Sequence, residues 1–150
     1  MTFAHADPFD LQRFVDAQVK DYQRALEELR AGKKITHWIW YVLPQLRGLG
    51  SSSRANFYGI GSLAEADGYL AHPVLGPRLG ECVSAMSSLH DVSAVDVLGP
   101  TDAAKFHSCL TLFRFVDPNS GGFSDALDKY YAGVPDLNTL ELLDVLQRQA

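Results

Sequence analysis

Residues Leu29 to Ala64 contain no aspartate or glutamate, in a chain of 150 residues whose net charge is −5. The same stretch carries Arg30, Lys33, Lys34, Arg47 and Arg54. It also carries both tryptophans, Trp38 and Trp40, and the turn Gly48-Leu49-Gly50-Ser51-Ser52-Ser53. Cations, aromatic faces and a turn of small residues with free N–H groups are what recognition of an anion requires. In that reading Trp40 and Tyr41 stack against a planar group, with Trp38 as a further candidate. Arg47 and Arg54 neutralise charge, and the backbone of Gly48, Gly50, Ser51 and Ser52 donates N–H groups. His37 or Gln45 supplies polar specificity. The competing reading makes the aromatics core, the glycines a plain turn and the arginines solvated. The turn does not match Gly-x-x-x-x-Gly-Lys-Ser/Thr, which excludes the common phosphate loop.

Candidates for chemistry are few. His37, inside the acid-free stretch, is a candidate general acid/base or phosphate donor; the alternative is a histidine satisfied by a backbone carbonyl. Lys105 and Ser108 lie three apart on one predicted helix and share a face toward a cleft or solvent. No Gly-x-Ser-x-Gly elbow activates Ser108, and no carboxylate is spaced to orient His107. Cys82 and Cys109 sit in apolar runs, which predicts buried free thiols and a reducing, cytoplasmic setting. His5, His72 and His90 are scattered, with no His-x-x-x-His or Cys-x-x-Cys pair, so neither a metal nor another cofactor is expected.

The elements that must position these residues follow from periodicity and caps. Asp7-Pro8 predicts a helix start, and Phe9, Leu11, Phe14, Val15, Val19, Tyr22, Leu26 and Leu29 recur at helical spacing up to Gly32. One helix or two, broken near Ala17 to Lys20, satisfy that pattern equally. Thr36 caps a short buried helix through Leu43, ended by Pro44, although its β-branched and aromatic content also suits a strand. Ser52 or Ser53 caps a helix holding Phe57 and Tyr58, and Ser62-Leu63-Ala64-Glu65 reads as a capping box for a helix to Ala71. Pro77 belongs to the first turn of a helix reaching Leu89. Ser93-Ala94-Val95-Asp96 is a second capping box, before a helix that Gly99-Pro100 stops. A helix from Thr101 turns Phe106, Cys109, Leu110, Leu112, Phe113 and Val116 inward, and Asp117 to Gly122 form a loop. A helix from Phe123 closes at Gly133. Asp136 caps the last one, with Leu137, Leu140, Leu143 and Leu146 or Val145 as its apolar face.

No hairpin or repeat interrupts this series, which predicts an all-α, irregular bundle of eight to ten helices spanning residues 1–150 as one domain. An apolar fraction of 47% excludes global disorder. The net negative charge excludes extended nucleic-acid binding, and no apolar run approaches the roughly 20 residues of a membrane span. The N-terminal segment, with Asp7 and Asp10, lacks the apolar core of a signal peptide.

The block from His37-Trp38-Ile39-Trp40 through Pro44-Gln45-Leu46-Arg47-Gly48-Leu49-Gly50-Ser51 resembles the family known as domain of unknown function 1810. These are small bacterial and fungal proteins, with a mycobacterial structural representative. The likeness continues in Asp7-Pro8-Phe9-Asp10-Leu11-Gln12-Arg13-Phe14, in His72-Pro73-Val74-Leu75-Gly76-Pro77-Arg78-Leu79 and in the helix with Lys105, Ser108, Leu112 and Phe113. The resemblance implies a compact all-α fold and brings no catalytic residues. Some members bear the label calpastatin, but such inhibitors are long disordered polar repeats, whereas this chain is short and core-forming. The leading expectation is binding of an anionic or nucleotide-like small molecule near residues 37–54. Two alternatives stand beside it. One is a protein-docking or homo-oligomer surface built from the same residues; the other is a hydrolase or transferase acting on an ADP-ribose-like ligand.

Overall fold

The structure is a computed structural model and describes residues 6–149; the histidine at position 5 lies outside them. Asp10 decides where the first helix begins. Its φ of 52° is left-handed, so a right-handed helix cannot pass through it, and Pro8–Phe9 form a turn closed by Asp10 N–H on the Asp7 carbonyl. Helix α1 therefore runs Gln12–Ala31, four residues later than Pro8 predicts. Asp7 still serves it, because its carboxylate accepts from the Leu11 and Gln12 N–H groups at 2.8 and 2.9 Å. The helix is continuous, with no break near residue 17, and ends at Gly32, whose φ of 77° is the left-handed closure that glycine tolerates best.

Helices α2 (Ile39–Val42), α3 (Ser53–Tyr58), α4 (Leu63–Ala71), α5 (Leu75–Ser87) and α6 (Ala94–Leu98) follow, then α7 (Pro100–Val116), α8 (Gly121–Tyr131) and α9 (Leu137–Gln149). Nine helices and no strand occupy the described residues, and one isolated parallel bridge joins Leu46 to Ile60. The fold is all-α, an irregular bundle. Its axis is α7, which buries Phe106, Cys109, Leu110, Leu112 and Phe113 and packs against α4, α6, α8 and α9. On the other side, α5 lies between α1 and α8.

Local capping follows the sequence pattern at three helix starts. Ser52 accepts from Ala55 N–H, Ser93 and Asp96 close a full capping box, and Asp136 accepts from Thr139 N–H at 2.9 Å. Elsewhere tertiary partners intervene. Ser62 accepts from Glu65 N–H, yet the Glu65 carboxylate turns to Gly61 N–H and to Arg13 instead of closing the box. Thr36 does not cap α2, because its hydroxyl and N–H are both committed to Glu28. The predicted loop shortens to Asp117–Ser120, with Gly121 and Gly122 in the first turn of α8. Helix α5 stops at Ser87, short of Leu89. In α9 only Leu143 and Thr139 are buried; Leu137 and Val145 are exposed, because α9 packs mainly on one flank of α7.

Candidate functional site

The segment between α1 and α2 is held by one carboxylate. Glu28, buried at the end of α1, accepts from Ile35 N–H (2.8 Å), Thr36 N–H (3.0 Å), Thr36 Oγ1 (2.7 Å) and Trp38 Nε1 (2.9 Å). Burial pushes this carboxyl upward, but the hydrogen bonds from Thr36, Ile35 and Trp38 outweigh it and bring it down to about 2. Trp38 is fully buried as a result, with the Lys34 ammonium 4.9 Å from its ring centroid. Lys34 is itself paired with Asp102 at 2.9 Å. Trp38 is core, and Lys34 is neutralised from α7.

The single turn of α2 then separates Trp40 from Tyr41. Tyr41 is buried, its hydroxyl donating to the Asp21 carboxylate and to the His37 carbonyl (3.2 Å), its ring 5.1 Å from that of Tyr58. Burial, and after it the bond to Asp21, push its phenol upward, so it remains a donor. It offers no free face for stacking. Trp40 is half-buried and carries two cations, the Arg54 guanidinium at 5.0 Å and the Lys105 ammonium at 5.7 Å from its centroid. Its Nε1 is shut off from solvent and has no hydrogen-bond partner among the described residues.

The Gly/Ser turn is shaped by close approach. Gly48 has φ 104°, and a Cβ on Gly50 would stand 2.7 Å from the Ala55 Cβ, so only glycine lets the turn lie against α3. The Ser52 hydroxyl already takes Ala55 N–H at 3.1 Å, filling the N-terminal position of α3 at which an anion was expected, and Ser51 is exposed beside it. Arg47 is spent on structure. Its Nε donates to the Asn56 carbonyl and its Nη2 to the Gly59 carbonyl, both at 3.0 Å. Arg13, ion-paired with Glu65 at 2.6 Å in the interior, also donates to the Phe57 and Gly59 carbonyls. Two arginines thus fix residues 56–59, and Arg54 alone of the two candidate arginines is not tied to backbone.

Three concavities surround this framework. A crevice of about 10 Å³, enough for one water-sized group, is lined by Trp40, Gln45, Tyr58 and Lys105 among others. It shares Gln45 and Lys105 with a groove of about 340 Å³ whose further walls include Gly50, Thr101, Ser108, Asp136 and Asn138. His37, Tyr41 and Arg54 line a separate open groove of about 540 Å³ with Asp16, Lys20 and Asp21. The structure therefore brings Gln45, Gly50, Lys105 and Ser108 together and sets Trp40 beside them, while His37 faces another groove. Ser108 is buried, its hydroxyl donating to the Ala104 carbonyl (3.2 Å) and to Asp136 Oδ2 (3.3 Å). Sequence reasoning missed Thr101, Asp136 and Asn138 as groove residues. Asp136 was visible only as a helix cap, and nothing local in the chain says that α9 starts opposite Ser108.

His107 is engaged as well, stacked on Tyr131 with centroids 4.1 Å apart and with Nε2 2.7 Å from the Val134 carbonyl. Cys82 and Cys109 are free and buried; burial pushes the Cys82 thiol up to about 12 and raises Cys109 further. Neither is set up as a nucleophile. Among the described residues no three His, Cys, Asp or Glu side chains converge as metal ligands, and no helix is long and apolar enough to cross a membrane.

Comparison with known proteins adds kinship without an activity. A solved structure, that of the conserved hypothetical protein Rv1873 from Mycobacterium tuberculosis, is similar with a TM-score of 0.91 and 49% sequence identity, covering 92% of this chain and 99% of that one. No match is found among the curated proteins. The model of a family described as protein of unknown function, DUF1810, matches residues 8–143, a span that includes every groove residue named above. The chain belongs to the DUF1810 family.

Proposed function

We propose that this protein binds a small anionic, nucleotide-like molecule in the groove between the Gly/Ser turn and α7, with Lys105 as the cation that meets it and Arg54, which lines the adjoining groove and shares the Trp40 ring, adding to the positive field. One observation carries the reading: two cationic side chains are held over a single indole beside the groove, and among the described residues neither has an acid within hydrogen-bond distance. The nearest carboxylate oxygen to Lys105, from Asp102, is 3.9 Å away, and Arg54 makes no ion pair among the described residues. A partly buried cation such as Lys105 attracts an anion far more strongly than the overall net charge suggests. The partnerless Trp40 Nε1 supports the same reading, as an unmet donor in a side chain that lines the crevice.

The groove favours binding over chemistry. Ser108 already donates to a main-chain carbonyl and a carboxylate, and His107 is occupied by Val134. His37, the candidate acid/base, lies in the neighbouring groove. The free, buried thiols fit a reducing cytoplasmic setting for this role. A second reading, docking of a protein partner or a second copy, is favoured by Phe57, which is 55% exposed one helical turn beyond Arg54.

Thermal-shift titration with a panel of nucleotides and simple phosphates separates the two. A ligand at a hundredfold excess over its Kd stabilises by about 2.7 kcal/mol. Such a shift is expected for at least one phosphate compound and should vanish in Lys105→Glu and weaken in Arg54→Glu. Absence of any shift, with Phe57→Ser dissociating an oligomer seen by sedimentation, overturns the small-molecule reading. A shift that survives both charge reversals moves the site elsewhere.

A further inference from the structure

We infer that the ligand of the 340 Å³ groove is a phosphorylated polyol of sugar size, with its phosphate at Lys105 and its hydroxyl groups at Asp136 and Asn138. This rests on the anion-binding reading above and assigns the other half of the same groove.

The other end of the groove is acidic. Asp136 shares the groove with Lys105, so a purely anionic ligand filling it would press against a carboxylate. Oδ2 of Asp136 is saturated, accepting from Ser108 Oγ (3.3 Å), Thr139 N–H (2.9 Å) and Thr139 Oγ1 (2.6 Å). Oδ1 receives no hydrogen bond from the described residues, although Asp136 is half-buried. Three donors fix the carboxylate's orientation and leave one oxygen to accept from whatever enters. The group facing it must be a donor, either hydroxyl or ammonium.

The neighbouring side chains choose between those two. An ammonium donates only and calls for acceptors around it, whereas a hydroxyl both donates and accepts. The amides of Asn138 and Gln45 and the hydroxyl of Thr101 each present a donor together with an acceptor, and none is bound to protein among the described residues. A mixed lining of this kind matches adjacent hydroxyls. Size narrows the class further. Small-molecule sites run from about 300 to 1,000 Å³, which puts this groove near the lower limit. A phosphorylated monosaccharide fits that space better than a dinucleotide.

Isothermal titration with ribose 5-phosphate, O-phosphoserine and inorganic phosphate tests the assignment. The wild-type protein should bind ribose 5-phosphate about tenfold tighter than either of the others, the worth of one or two added hydrogen bonds to a fixed carboxylate and amide. Asp136→Asn keeps an acceptor for the α9 cap while removing the charge, and Asn138→Ala touches an exposed side chain with no structural bond. Each should lower ribose 5-phosphate affinity about fivefold or more and leave inorganic phosphate unweakened. Equal affinity for ribose 5-phosphate and inorganic phosphate overturns the inference, as does a preference for O-phosphoserine or a uniform loss with both variants. In each of those cases the anion site at Lys105 survives. If none of the three compounds binds, the anion reading falls with the sugar.

Discussion

Trp38 and Trp40 stand two residues apart in the same acid-free stretch, and the structure uses them in opposite ways. Trp38 is wholly buried, with its Nε1 donating to Glu28 and a cation over its ring that is itself paired with Asp102. Trp40 is half-exposed, its Nε1 unsatisfied among the described residues; of the two cations over its ring, Lys105 meets Asp102 only at 3.9 Å and Arg54 makes no ion pair there. The difference lies in what the rest of the molecule brings to each indole. Helices α1 and α7 deliver carboxylates to the first and close it; the second faces a groove edge and is left with unmet polarity. A completed polar cluster reads as architecture and an incomplete one as a site.

If that contrast is right, removing the acid that completes the Trp38 cluster should have the largest effect on stability. Glu28→Ala strands four donors, one buried and three part-buried, and is expected to cost about 3–5 kcal/mol, read as the shift in a urea denaturation midpoint. The same carboxylate sets an acid limit. Its folded value, about 2, lies below the ordinary carboxyl value, so its contribution is complete above about pH 5 and lost as pH falls from there toward 2. Wild type and Glu28→Gln should therefore differ most near neutrality and converge in acid. A gap that stays constant down to pH 2 would show that Glu28 is not ionised in the cluster.

A matched pair of substitutions addresses the comparison directly. Trp38→Phe removes a charge-assisted hydrogen bond and core volume, for an expected loss of about 2–4 kcal/mol. Trp40→Phe deletes a donor that has no partner, so its cost should stay within about 1 kcal/mol while it alters ligand binding. Equal costs would mean that Trp40 Nε1 finds an acceptor in the free protein, and the contrast would collapse.

The same pair shows what could be read in the chain. Caps such as Ser52, Ser93 and Asp136 act within three residues, and local pattern finds them. Pro44 and Gly32 likewise end their helices where expected. The Glu28 cluster, the reach of Arg13 to residues 57–65 and the pairing of Lys34 with Asp102 depend on how helices meet, which no spacing encodes. That is why the acid-free stretch looked uniformly available to an anion. Acids from outside the stretch neutralise part of it, and backbone carbonyls consume Arg47. Gln45, Lys105 and Ser108 were placed as candidates, but their neighbours Asp136 and Asn138 come from an element whose position is purely tertiary.

The smallest effects should separate Arg47 from Arg54, the two arginines that the sequence presents as equivalents. Arg47 makes two hydrogen bonds to main-chain carbonyls, and Arg47→Ala should cost about 1–2 kcal/mol by loosening residues 56–59. Arg54 is exposed and rests on Trp40 without a hydrogen bond among the described residues, so Arg54→Ala should change stability by less than about 0.5 kcal/mol. Binding should show the reverse order. Arg54→Ala weakens phosphate compounds in a titration, whereas Arg47→Ala leaves them within about twofold, the residue of a slightly looser wall. A stability loss at Arg54 comparable with that at Arg47 would recast its place over the indole as packing, and Lys105 would then stand alone as the cation of the groove.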